Sequence, residues 1–205
     1  MRKFYLLLIA FLALTNSYSQ EVYFLTGSNF TKYDFKSQNS PMTTVLQSGT
    51  GSNYELGHHF SLKIDEFSFS VGVTLNEFNA LAGSSANTYQ WNTKYIGVQS
   101  ALHYTYSVTK EFQVALKAGV NLSKIVYGKQ NTNGVVYDLM DQKEFSGALF
   151  SDFVGMHLNY KFNDLGCVSL GYGLLNSRNT SNRTQEKVAF TSTQLQFGIH
   201  FNINK

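Results

Sequence analysis

An internal disulfide is impossible in this chain, because Cys167 is its only cysteine, so the fold must rest on burial or on a complete hydrogen-bond network. Proline is as scarce. Pro41 stands alone in a stretch that reads as loop, and no strand pattern is interrupted by a missing amide donor. Charged residues make up 14%, against the roughly 25% usual in soluble domains. The net charge of +3 is small and its basic residues are scattered, which excludes a nucleic-acid surface built on charge. After the first residues there is no apolar run near the roughly 20 that a membrane helix requires. Nucleophile elbows and HExxH spacings are missing too, so nothing in the sequence announces a reaction.

What is present begins with the amino terminus. Arg2 and Lys3 precede an apolar run over residues 4–14, followed by Ser17, Tyr18 and Ser19 at the positions a signal peptidase reads. That run is too short to span a bilayer. We therefore expect residues 1–19 to be a signal peptide and residues 20–205 to form one exported domain. A lipid anchor is not expected, since no cysteine stands at the cleavage point.

The remaining chain is aromatic, with 17 Phe and 13 Tyr, and its apolar residues alternate with polar ones. From Gln194 to Asn202 every odd residue (Leu195, Phe197, Ile199, Phe201) is apolar and every even one is polar or glycine. That period of two is a strand with one apolar and one polar face. Phe112, Val114, Leu116, Ala118, Val120 and Leu122 repeat the pattern, as do Phe67, Phe69, Val71, Val73 and Leu75. Weaker versions run over 54–64, 96–106, 154–162 and 168–174, and residues 21–33 are strand-like without a clear facing. The count is eight.

Connections between these segments alternate in length. Asp65-Glu66, Thr109-Lys110 and Asn163-Asp164 are tight turns, whereas 34–48, 78–92, 127–145 and 176–189 are long and rich in Ser, Asn, Thr, Gln and Gly. Strict alternation of short and long is the arrangement of outer-membrane barrels, with short periplasmic turns, long external loops and periplasmic termini. Tyr104, Tyr106, Phe112, Tyr160 and Phe162 beside the short turns, and Tyr89, Trp91, Tyr95 and Tyr127 near the long loops, suit two interfacial girdles. The expected fold is all-β: a single eight-stranded antiparallel transmembrane β-barrel of up-and-down topology, following a signal peptide.

The glycine-punctuated strands Ala118-Gly119-Val120-Asn121-Leu122 and Phe153-Val154-Gly155-Met156, and the terminal Leu195-Gln-Phe-Gly-Ile-His-Phe, resemble the small outer-membrane β-barrel family. That family includes the membrane domain of outer-membrane protein A and porin-family barrel proteins. The resemblance implies lipid contact and insertion by the barrel-assembly machinery, and it carries no catalytic residue. The family's last strand usually ends on an aromatic residue, whereas Phe201 here is followed by Asn-Ile-Asn-Lys.

With the apolar faces outward, the interior receives Glu55, His59, Gln99, His103, Lys117, Asn121, His157, Asn159, Lys161, Gln196, His200 and Asn202. An eight-stranded interior is about filled by its own side chains. Glu55, Lys117, Lys161, Gln99, His103 and His157 are therefore expected to form a polar plug, with Glu55 paired to Lys117 or Lys161. Four histidines (His59, His103, His157, His200) share inward parity, but they belong to four strands and no spacing ties them together, so neither metal nor cofactor is expected. His58 has outward parity, which calls for a neutral ring or a bulge near Gly57. In the loop 127–145, Lys129, Tyr137, Asp138, Asp141, Lys143 and Glu144 supply both charges and an aromatic, the best candidate contact for an extracellular or envelope partner. Asp138, Asp141, Glu144 and Asp152 as an acidic catalytic site is the weaker reading, since acidic groups in wet loops are ordinarily solvated. The function expected is non-enzymatic, structural or surface-binding. The alternatives are a narrow porin or transport component, or a soluble periplasmic ligand-binding barrel.

Overall fold

The computed structural model describes residues 20–34, 47–62, 64, 66–84, 87–180 and 188–203. The expected signal peptide, and the central parts of the connections 34–48 and 176–189, lie outside the described residues. Among the described residues there are ten strands: β1 (Gln20–Asp34), β2 (Gln47–Ser61), β3 (Phe67–Glu77), β4 (Ala80–Ser84), β5 (Asn87–Ser107), β6 (Phe112–Thr132), β7 (Val135–Asp138), β8 (Ala148–Asn163), β9 (Gly166–Asn179) and β10 (Ala189–Asn202). Among the described residues no helix is long and apolar enough to cross a membrane.

All pairings are antiparallel, and eight strand paths close on themselves. β3 and β4 are two pieces of one path between β2 and β5, broken at Phe78 and Asn79. The ring then runs through β6, β8, β9 and β10 and closes where β10 pairs with β1, from Glu21↔Asn202 to Asp34↔Ala189. β7 lies outside the ring, as a hairpin partner of the end of β6.

The alternation read from the sequence sets the facing. Even residues of β6 as far as Val126, even residues of β9 and odd residues near the end of β10 point outward, leaving Leu116 53%, Leu170 61% and Phe197 49% exposed. β1, whose facing the sequence left open, turns Tyr23, Leu25, Asn29, Thr31 and Tyr33 inward and Phe24 and Phe30 outward. Burying one such side chain is worth about 1.5–3 kcal/mol, so a continuous outward belt of them does not suit water.

The long connections differ from expectation. Residues 78–92 mostly belong to β4 and β5, which pair up to Ser84↔Asn87. Most of 127–145 is also ordered: β6 continues to Thr132, Asn133 and Gly134 form a turn with φ of 51° and 85°, and β7 returns. Positive φ at two successive residues suits a tight hairpin, and Asn-Gly is the pair that adopts it most readily. A short 3₁₀ turn, Lys143–Phe145, then leads into β8. The sequence under-read these extensions because polar, aromatic strand ends lack the clean alternation of the belt.

Candidate functional site

Inside the ring, side chains form three layers between the end bearing the short turns and the end bearing the β6–β7 hairpin. At the turn end a cavity of about 330 Å³ is lined by residues including Glu21, His59, His103, His157, Cys167 and His200. Register brings them to one height: Glu21 lies opposite His59 on β2, and Cys167 opposite His200 on β10. Glu21 Oε1 lies 2.7 Å from His200 Nδ1 and 3.2 Å from His59 Nδ1. The other nitrogen of His200, Nε2, is 2.9 Å from the Ser169 hydroxyl. His103 stacks at a tilt on His59, ring centres 4.4 Å apart, and its Nε2 is 2.8 Å from Ser70 Oγ.

The middle layer is an ion pair and an amide network. Lys117 Nζ donates to both oxygens of Glu55 at 3.0 Å, and the Tyr23 hydroxyl donates to Glu55 Oε1 at 2.6 Å. Tyr23 reaches across because Gly57 and Gly72 stand opposite one another beneath its ring, and a Cβ at Gly57 would collide with the phenol. Above it, Gln194 donates to Asn29 at 2.8 Å, Gln196 to Asn53 at 3.1 Å and Asn121 to Thr74 at 2.8 Å. Each bond joins different strands, so these buried polar groups satisfy one another inside the ring.

The third layer is apolar. Tyr33, Phe78, Trp91, Tyr95, Phe145 and Phe190 are buried together with Ile125, Leu139, Leu149, Phe153, Leu175 and Val188. Trp91 packs edge-on against Tyr33 at 5.1 Å and against Phe145 at 5.2 Å, and Phe190 lies 4.6 Å from Phe78. The break between β3 and β4 turns Phe78 inward, where its carbonyl accepts from the Tyr33 hydroxyl at 2.8 Å and from Thr93 Oγ1. Leu139 and Phe145 enter from the segment after β7, so the longest described connection folds back onto the lumen. Trp91 and Tyr95 are therefore not members of an outward girdle as their sequence positions suggested. At the turn end, Tyr104, Tyr106, Phe112, Tyr160 and Phe162 do face outward.

The expected plug residues divide between layers. Glu55 and Lys117 are paired, Gln99, His103 and His157 are buried, and Lys161 stands exposed on the rim of the turn-end cavity. His58 points outward beside Phe60, ring centres 4.5 Å apart, with pairing unbroken on both sides of Gly57, so no bulge intervenes there. A register shift occurs instead opposite Lys94/Tyr95, where Val126 is skipped between Ile125 and Tyr127.

Of the candidate contact residues, Lys129 and Asp138 face one another across the β6–β7 hairpin at 2.6 Å. That bond holds the Asp138 carboxyl below the ordinary carboxylate range and raises Lys129. Tyr137 is 49% exposed, with Val135, Val136 and Met140 exposed beside it. Asp141 and Lys143 are exposed, while Glu144 is half-buried and its carbonyl accepts from Asn179. Among the described strands β7 alone has a single neighbour, so one edge is open.

The closed eight-strand ring with an outward apolar belt and a filled interior has counterparts among solved structures. Neisserial surface protein A (NspA) aligns over 89% of this chain and 97% of its own, with 14% identity and a TM-score of 0.53. The fold is that of the small outer-membrane β-barrels. A second such barrel, outer-membrane protein OprG from Pseudomonas aeruginosa, aligns over 89% of this chain and 96% of its own, with 10% identity and a TM-score of 0.52. No protein-family model and no curated protein matches the sequence. At these identities the likeness lies in backbone topology, and the lumen chemistry of this barrel must be read from its own residues.

Proposed function

We propose that this chain is an integral outer-membrane barrel without enzymatic activity, closed to solute flow and acting through its hairpin end. The observation that carries the reading is the apolar cap: Tyr33, Phe78, Trp91, Phe145 and Phe190 come from separate segments and meet inside the ring, leaving, among the described residues, an open cup at the turn end. Each aromatic pair adds about 0.5–1.5 kcal/mol beyond burial, so the cap is a stable element rather than a gate that drifts open. The outward apolar belt supports insertion in lipid, where a closed ring satisfies its backbone without water. The alternation of connections supports periplasmic termini and an exposed β6–β7 hairpin, with the barrel-assembly machinery as the partner in biogenesis.

For surface contact the hairpin supplies an open strand edge, three exposed apolar residues in Val135, Val136 and Tyr137, and the Lys129–Asp138 pair beneath them. An extended segment of a partner can add to such an edge through main-chain hydrogen bonds. In planar bilayers the reconstituted barrel is expected to give no sustained single-channel steps; large steady steps would restore the porin alternative. An epitope inserted at Gly134 is expected to be accessible on intact cells and one at Asn163 only after permeabilisation. The reverse labelling would overturn the orientation.

A further inference from the structure

We propose that the turn-end cup binds one divalent transition-metal cation of the zinc type, held by Glu21, Cys167 and His200 with His59 as the fourth donor. The carboxylate, thiol and imidazole donor atoms of Glu21, Cys167 and His200 lie within 4.8 Å of one another. In a tetrahedral zinc site with bonds of about 2.0–2.3 Å the donors stand roughly 3.3–3.7 Å apart. The widest of these separations thus has to close by about 1–1.5 Å, shared between two groups. His59 stands outside that group of three, with its Nδ1 3.2 Å from the same Glu21 oxygen that His200 approaches. Mixed sulfur, nitrogen and carboxylate donors suit zinc, cobalt(II) or cadmium better than magnesium or calcium, which prefer oxygen alone.

Three further features fit. Ser169 lies at Nε2 of His200, so with a metal bound Nε2–H donates to the hydroxyl and Nδ1, 2.7 Å from Glu21 Oε1, is the free ligand atom. Such an outer bond to a ligating imidazole fixes its tautomer and orientation. The charges balance as well: binding releases the Cys167 proton to solvent, and one thiolate with one carboxylate neutralises a dication. Lys117, the nearest buried cation, is already neutralised by Glu55. Finally, the cup opens at the turn end, so the ion has an entry path although the cap closes the opposite end. The sequence led to the opposite expectation because ligand spacing along a chain is silent about residues brought together only by register between strands.

The test uses the full mature barrel refolded in detergent. Titration with zinc chloride against a competing chelator is expected to show one equivalent bound, and cobalt(II) to give the intense tetrahedral bands and near-ultraviolet charge-transfer band of a thiolate ligand. Cys167→Ser should remove the charge-transfer band, and Cys167→Ser and His200→Gln should each weaken zinc binding at least about tenfold. His58→Gln, on the outer face, should leave both unchanged. A pink octahedral cobalt spectrum, the absence of a stoichiometric site, or undiminished binding in both ligand variants would overturn the proposal. A measurement on the unmodified protein guards against misfolded variants: zinc should slow alkylation of Cys167 by iodoacetamide at least about tenfold, and equal rates with and without metal would also overturn it.

Discussion

The same strands carry opposite chemistries at the two ends of the lumen. β1 turns Glu21 inward at one end and Tyr33 at the other, β5 turns His103 and then Trp91, and β10 turns His200 and then Phe190. At the turn end the inward groups are titratable and line an open cup. At the hairpin end they are aromatic and dry, and the amide network between them belongs to neither. Parity along a strand thus decides which face a residue takes, whereas height along the strand decides what that face must contain. An inward apolar residue is as much part of this design as an outward one.

The largest effects are expected at the dry end. Phe190→Ala and Trp91→Ala should each cost about 3–5 kcal/mol in unfolding from lipid or detergent, because each leaves a hole in a packed cluster. Combined, they should convert a silent barrel into one with sustained single-channel steps. A destabilised but still silent double variant would show that the amide layer below, not the cap, blocks the path. Between the ends, Lys117→Met alone should cost about 3–5 kcal/mol, since it strands the Glu55 charge, while Glu55→Gln with Lys117→Met should lose much less. Equal losses for the single and double variants would remove the ion pair from its central place. On the outer face, Leu116→Arg should cost about 2–4 kcal/mol in a bilayer by urea titration, and far less in water-rich detergent.

The smallest effect concerns the exposed pair on the hairpin. The Asp138 carboxyl is held low by its bond from Lys129, so its contribution is present above the ordinary carboxylate range and is lost only as pH falls through that lowered value. A carbon-13 titration of the Asp138 carboxyl should therefore show a midpoint below that of Asp138 in the Lys129→Gln variant, with global stability unchanged. Coincident midpoints would mean that the pair does not persist.

Much of this fold was legible in the sequence, and the reasons are local. The alternation from Gln194 to Asn202 fixes the facing of β10, and the three tight turns mark one rim. The Glu55–Lys117 pair follows from inward parity on two strands, although parity alone did not separate Lys117 from Lys161, whose height puts it at the rim. The cap was not legible in the same way. Leu174 and Leu175 are adjacent, as are Phe153 and Val154, so one member of each pair must face inward. That signal was available, but an apolar residue in a membrane strand is read first as lipid-facing. The reversal after Ile125 was hidden too: skipping Val126 puts Gln130, not Lys129, within reach of Trp91 Nε1 at 3.2 Å.

Closure of β1 against β10 also bears on how such a molecule comes into being. Glu21 pairs with Asn202, so one edge of β1 waits for β10, some 180 residues further along the chain, before it is satisfied. Contacts between residues so distant in sequence form slowly, because loop-closure entropy must be met before they contribute. A ribosome delivers this chain amino end first, and throughout delivery β1 offers a bare ladder flanked by Phe24 and Phe30 to any other strand nearby. The waiting time of that edge, rather than the stability of the finished ring, is then the quantity that sets its risk of aggregation.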